Sequence, residues 1–490
     1  MQRISTANTP PPRLGLNVGA GLDLLNGNFI KDYYGDDVLM GGVTPLQGVM
    51  GDPNSDKTML TIYMTGAAAN TIAYSYISEI LGYDSEGTLR IERVNSLLER
   101  FAYLDRDEYG SVIMDFSSVA EMSAEEWYDK KYAPYVKAKR DSKEYEIEVE
   151  FLANPNDKSK LLIIKLPTLL FLDTVTFFNP STSIDLVMGE NKKKGGSNDS
   201  SNKTIGINNA KFKTDIMSTL TPSLLRTNTY GLLVAHVGDN INLDNNPYGP
   251  KPRQQLGSLA SNEKIKGVPA DYTRLTTGIF QTNDKKPLYN QDTKLAQYPI
   301  GNDMDTFRNE LNTINIKQHR SKDNMSSLVL KLATSQSEGV QPHLSQFIRL
   351  KEANDYGFIG NKQSYSLIVY PEVKLSRTTV RGLINNDPKL RRAIEITDDY
   401  YLLTLLFPKY GLLGLYCGLE TLYKDIDEMG YDWDKILTIT RNWWTPKQYT
   451  SELKYLHTLN LLKIRAGLFN NKATLEAIKK DKVKPAKEEK

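Results

Sequence analysis

The stretch GDPNSDKT, residues 51–58, carries the residue types of a phosphate-binding loop. Set against the pattern G-x-x-x-x-G-K-S/T, it has Gly51, Lys57 and Thr58 in place and Asp56 where the second glycine belongs. In that chemistry the backbone of Asp52, Pro53, Asn54, Ser55 and Asp56 wraps the phosphates of ATP. Lys57 contacts the β- and γ-phosphates, and the Thr58 hydroxyl holds Mg²⁺. Asp56 opposes the assignment, because a carboxylate at that point must turn away from the phosphates or repel them. Taken alone, the stretch fits a surface turn as well as it fits a nucleotide site.

Three more positions could serve the same reaction. Asp173 ends the apolar run LLFLD, where a carboxylate can fix a metal-bound water. Apolar runs that end in aspartate are common, so a purely structural Asp173 stands beside this reading. YDSEG ends another apolar run with Asp84 and Glu86, and a glutamate there can orient and deprotonate an attacking water. His236 ends YGLLVAH (230–236), where it either senses a γ-phosphate or sits as a satisfied core histidine.

A site of this kind needs a buried strand before the loop and a helix after it, whose N-terminus adds positive potential. LQGVMG supplies the strand, and KTMLTIYMTGAAA is expected as an amphipathic helix. VMGD, ILGYDSE, LLFLD and YGLLVAH read as buried strands alternating with helical stretches, which is the pattern of an α/β core with a largely parallel sheet. Ligands bind such folds where strand ends converge on one edge.

The rest of the chain frames this core. Residues 1–13 read as a polar arm ending in prolines, and 14–380 as the core. Residues 381–478 read as a C-terminal helical domain and 479–490 as a charged tail. A charged, aromatic insertion at 105–160 is expected to be helical and has no legible chemistry. Two long polar insertions, near 181–206 and 238–267, are of a length that is functional or disordered in compact domains.

The 490 residues contain 61 Lys and Arg against 59 Asp and Glu, a net charge of +2, so a polyanion partner would need a local patch. The one cysteine, Cys417, rules out an intrachain disulfide or a cysteine metal cluster and reads as a buried small hydrophobe. No apolar stretch of about 18 residues is present, so the expectation is a cytoplasmic protein with no membrane partner.

The ordered set LNVGAGLDLL, GGVTPLQGVMGDPNSDKT, YDSEG, LLFLD and LLVAHVGDN resembles the RecA recombinase family, most closely its phage branch. That branch also tolerates a non-glycine residue before the loop lysine. The similarity runs over roughly residues 14–360 and includes INIKQHRSKDNM. It implies a RecA-like P-loop ATPase core, with Arg320 and Lys322 reaching the γ-phosphate bound by a neighbouring subunit. A solvated turn is the other reading of those two residues.

The resemblance further implies that the two polar insertions hold single-stranded DNA, through Lys192, Lys193 and Lys194 in the first. In the second, Lys251, Arg253, Lys264 and Lys266 would contact DNA, with Tyr248 as a stacking group. Flexible basic loops suit binding that is independent of base sequence. The function implied is a DNA-dependent ATPase that forms filaments on single-stranded DNA and exchanges strands with a homologous duplex. In a host bacterial cytoplasm it would act in recombination, repair and recombination-dependent replication, with single-strand-binding and mediator proteins as further partners. A ring-shaped helicase on the same core, and a structural assembly protein that has lost nucleotide binding through Asp56, are the alternatives.

Overall fold

The computed structural model describes residues 14–181, 198–239, 255–268, 270–290, 292–300, 310–321, 328–361, 363–408 and 414–481. Nine strands form the central path of one large sheet. In chain order they are β1 (Leu46–Gly51), β2 (Glu79–Asp84), β3 (Asp115–Ser118), β4 (Thr168–Asp173), β5 (Thr229–Asp239), β6 (Gly278–Pro287), β7 (Leu311–Ser321), β8 (Val329–Ser335) and β9 (Gly339–Gln341). Across the sheet they lie in the order 9-8-7-6-1-5-4-2-3. The six strands from β6 to β3 are mutually parallel, and β7, β8 and β9 continue antiparallel. A short strand, Glu263–Ile265, pairs antiparallel with the far end of β5.

Strands buried on both faces read as continuous apolar runs, and their period of two sends neighbours to opposite sides. Leu169 and Phe171 of β4 join one core, whereas Leu170 and Leu172 join the other. Tyr230 and Leu232 against Leu233, Ala235 and Val237 do the same on β5. The first face is covered by α1 (Lys57–Ala73), and the second by Met217, Leu220 and Leu224 of α2 (Asn198–Thr227).

Helix α1 is not amphipathic. All of its residues except Thr58, Asn70 and Ala73 are buried, because the sheet lies on one side and the N-terminal and C-terminal segments on the other. Thr61 and Thr65 donate their hydroxyls to the carbonyls of Lys57 and Thr61 at 2.9 and 2.8 Å, which hides their polarity within the helix. Gly66 lets the helix Ile91–Leu98 and its trailing loop approach closely: a Cβ there would lie 2.4 Å from Phe101 and 2.5 Å from Leu98.

The 105–160 insertion is helical, as expected, only over 124–141. It supplies β3 at the sheet edge, a short helical stretch within 124–141, and most of the antiparallel hairpin Glu146–Asn154 with Asp157–Lys165. The alternation EIEVEF accounts for the hairpin, with Ile147, Val149 and Phe151 inward and Glu146 and Glu148 outward. The first polar insertion is also shorter than expected, since α2 begins at Asn198.

The helices after residue 380 pack into the core begun by the N-terminal segment. Of these, α4 (Pro388–Leu406) packs against α3 (Pro342–Glu352) of the sheet region and is followed by shorter helices to Ala477. Trp444 donates to the Gly15 carbonyl at 2.7 Å, the Tyr455 hydroxyl accepts from Leu39 N at 2.8 Å, and Arg349 forks onto Asp398 at 2.7 and 2.8 Å. Cys417 is half-buried rather than buried. Among the described residues no helix is long and apolar enough to cross a membrane.

Candidate functional site

The C-terminal ends of β1, β5, β4 and β2 carry the loop 51–58, His236, Asp173 and the turn with Glu86, so four separated segments meet at one sheet edge. They line an open cavity of about 370 Å³ that includes Pro53, Asn54, Asp56, Lys57, Thr58, Glu86 and His236. That size is within the range of small-molecule sites.

The loop is built by packing that only a glycine at its start permits. A Cβ on Gly51 would fall 2.3 Å from the Thr282 hydroxyl and 2.4 Å from the Ser55 hydroxyl. These two hydroxyls bond each other at 2.7 Å, and Ser55 Oγ also lies 2.7 Å from the Asp52 carbonyl, pinning the turn to β6.

Asp56 occupies the left-handed region, with φ 60° and ψ 23°, the conformation for which the usual glycine is selected. Aspartate is among the residues that tolerate it best. Its carboxylate is held by two partners: Oδ1 accepts from Lys285 Nζ at 2.6 Å, and Oδ2 from the Thr334 hydroxyl at 3.1 Å. An aspartate at a helix N-cap ordinarily accepts from the first-turn N–H groups. Here it makes no such bond, so those N–H groups and the positive end of α1 keep their capacity for an anion. The two residues that hold the Asp56 carboxylate, Lys285 and Thr334, lie 229 and 278 positions away.

Around the loop the expected side chains converge. Thr58 Oγ1 donates to Asp173 Oδ2 at 2.7 Å, and His236 Nε2 lies 2.7 Å from Glu86 Oε1. Lys57 Nζ reaches the Asp52 carbonyl at 3.5 Å. Burial holds the Lys57 ammonium below its ordinary pKa, opposed by the charges of Asp173, Glu86 and Asp52, which all act on it. Asp84, by contrast, is structural: its carboxylate accepts from Glu86 N at 2.9 Å, Gly87 N at 3.0 Å and Leu89 N at 2.8 Å, and so fixes the turn that presents Glu86.

Asp173 is 5% exposed, and its Oδ1 has no hydrogen-bond partner. Burial pushes its carboxyl up to about 6, with Thr58 pulling down and Glu86 adding to the rise. A buried, unpartnered carboxylate oxygen beside a threonine hydroxyl fits a hydrated divalent cation. No group of three or more His, Cys, Asp or Glu among the described residues could hold a metal, so such a cation would rely on one or two protein ligands plus phosphate oxygens.

Burial of the Asp173 charge also makes stability depend on pH. Its folded pKa lies above the usual 3.8, so the folded state binds the proton more tightly, and stability falls as pH rises from about 4 to about 6. Two pKa units correspond to about 3 kcal/mol. Asp173→Asn is expected to raise the Tm of the ligand-free protein at pH 8, with the gain gone below pH 4, and to weaken magnesium-dependent nucleotide binding. An unchanged Tm at pH 8 would contradict the uncompensated charge.

Arg320 is not in this cavity. β7 runs antiparallel to β6, so Arg320 pairs with Ile279, which lies beside Gly48, at the opposite edge of the sheet from the loop. It is half-buried, its Nη2 donates to the Arg274 carbonyl at 3.2 Å, and its Nε has no partner. Lys264 and Lys266 lie on and just after the short strand beside β5; both are exposed, and Lys266 N donates to the His236 carbonyl at 2.8 Å. Lys192, Lys193, Lys194, Tyr248, Lys251, Arg253 and Lys322 lie outside the described residues.

Lys285, Thr334 and Thr282 carry no motif and were not among the expected site residues; a lysine in the apolar-to-polar strand GIFQTNDKKP offers no local sign of its partner. Lys213 is another. Its ammonium donates to the carbonyls of Val175, Thr176 and Gly267 at 3.1, 3.0 and 2.7 Å, tying together the roots of the two polar insertions. No protein-family model matches the chain, and no curated protein matches it.

Proposed function

We propose that the chain is an ATP-dependent recombinase with a RecA-like P-loop core, which assembles on single-stranded DNA and pairs it with a homologous duplex. The observation that carries the nucleotide part of this reading is the Asp56 carboxylate held by Lys285 and Thr334, in a loop that shares a cavity with Glu86 and His236 and whose Thr58 hydroxyl donates to Asp173. The DNA part rests on the resemblance of the ordered motifs.

In this reading the loop backbone and the N-terminus of α1 bind the phosphates of ATP, and Lys57 balances the charge of the β- and γ-phosphates. Thr58 and Asp173 would hold Mg²⁺, whose part is to neutralise charge on the phosphoryl group being transferred. Glu86 accepts a proton from the attacking water. The 2.7 Å contact with His236 holds the Glu86 carboxylate in place and gives the strand after it a means of registering the γ-phosphate. Arg320, which lies toward the starts of the parallel strands, would meet a nucleotide as part of a neighbouring copy of the chain. Hydrolysis then depends on assembly, because a basic residue supplied in trans stabilises the transferring phosphoryl group. Lys264 and Lys266 sit on the segment that leaves the His236 strand, a position from which γ-phosphate contact can be passed to a DNA-binding loop.

ATP hydrolysis measured with and without single-stranded DNA, alongside negative-stain imaging, tests the proposal. Expected are DNA-stimulated turnover and helical filaments in the presence of ATP and magnesium. Closed rings would favour a helicase, and failure to bind nucleotide at all would leave only a structural assembly role.

A further inference from the structure

A second cavity, at about 510 Å³ larger than the first, lies away from the phosphate loop. Its walls come from the C-terminal half of α1 (Tyr63, Asn70), the turn carrying Arg100, the start of α3 (His343, Gln346) and the start of α4 (Arg391, Glu395). No part of the nucleotide chemistry uses it.

Two features of its lining are unmet by the protein itself. Gln346 is 1% exposed, and its enclosed amide oxygen has no hydrogen-bond partner. The second feature is charge. Arg100 donates to the Val340 carbonyl, and Arg391 to the carbonyls of Ile384 and Asn385 at 2.9 and 3.0 Å, so both guanidinium groups meet only neutral acceptors there.

The nearby carboxylates are already committed. Glu395 is held by His343 at 3.0 Å and Arg392 at 3.1 Å, and Glu338, whose charge reaches Arg100, is paired with Arg381 at 3.2 Å. Arg100 and Arg391 are also close enough to disfavour each other's charge. The cavity thus has an excess of positive charge at one part.

The geometry points to a binding site for a small organic anion, whose phosphate or carboxylate group pairs with Arg100 and Arg391. Arginine suits this role through its planar fork of donors. The proposal is independent of the recombinase reading, because no residue of the phosphate loop takes part.

Calorimetric titration of the full chain tests it, with citrate as the carboxylate probe and glycerol 3-phosphate as the phosphate-ester probe. At least one probe is expected to bind wild type and Lys57→Ala alike, the latter removing the loop as a competing anion site. Removing one charge-assisted hydrogen bond weakens binding by about tenfold or more, so Arg391→Gln and Arg100→Gln should each show a loss of that size. Should Arg391→Gln fail to fold, Arg100→Gln at the exposed rim makes the same comparison. The site is overturned if neither probe binds, if binding survives both arginine substitutions, or if Lys57→Ala abolishes it.

Discussion

Replacing Lys57 with alanine is expected to remove measurable ATP turnover and, with it, nucleotide-dependent assembly on DNA. The ammonium is the one cation facing the cavity from the phosphate loop, and three carboxylates, Asp173, Glu86 and Asp52, act on it. Without it, those carboxylates lose the opposing charge of Lys57. Charge-assisted hydrogen bonds contribute roughly 1.5–3 kcal/mol each, so loss of two contacts corresponds to about a thousandfold. Lys57 is buried, and its removal relieves a desolvation cost but leaves Asp173, Glu86 and Asp52 without its opposing charge, so the Tm of the variant is measured beside its activity. Steady-state hydrolysis and fluorescent-nucleotide binding measure the outcome. Undiminished DNA-stimulated turnover in Lys57→Ala would remove the site assignment altogether.

A second large effect is expected at Lys285, a residue with no direct place in the phosphate-loop pattern. Its ammonium contacts Asp56 at 2.6 Å and is only 25% exposed, so the pair is better insulated than a surface salt bridge. Lys285→Ala leaves the Asp56 charge bare, one residue from Lys57. At an effective dielectric of ~20 and a separation of ~6 Å, a unit charge interacts at roughly 3 kcal/mol. Part of this is screened in an open cavity, leaving about 2 kcal/mol, or roughly thirtyfold in nucleotide affinity.

The double variant Lys285→Ala, Asp56→Gly separates two causes. Glycine adopts the left-handed conformation of residue 56 without strain and carries no charge. Recovery of affinity in the double variant assigns the loss to the bare carboxylate. If affinity stays low, Lys285 itself contacts the nucleotide, and its pairing with Asp56 is not what keeps the loop open to phosphate.

Much of the framework is legible in the chain. The strands carrying the loop, Glu86, Asp173 and His236 are visible because strands buried on both faces read as continuous apolar runs with polar residues at their ends. The 146–165 hairpin escapes a reading of the sequence although EIEVEF alternates with period two, since the surrounding charge and aromatic content favours helix. Helix α1 reads as amphipathic because its threonines count as polar. In the structure each of Thr61 and Thr65 spends its hydroxyl on its own helix, which leaves the surface apolar in effect.

The chain alone establishes the order of the motifs, the strand ends and the presence of an acid where a phosphate loop expects glycine. Which partners take up that acid's charge is decided by tertiary contacts. A side chain's direction depends on which partners the fold brings to it, and here those partners, Lys285 and Thr334, come from strands on the β6 side of the sheet, far away in the chain. The placing of Arg320 on the opposite edge from the loop has the same origin, because it follows from the antiparallel direction of β7, which no local pattern of residues encodes.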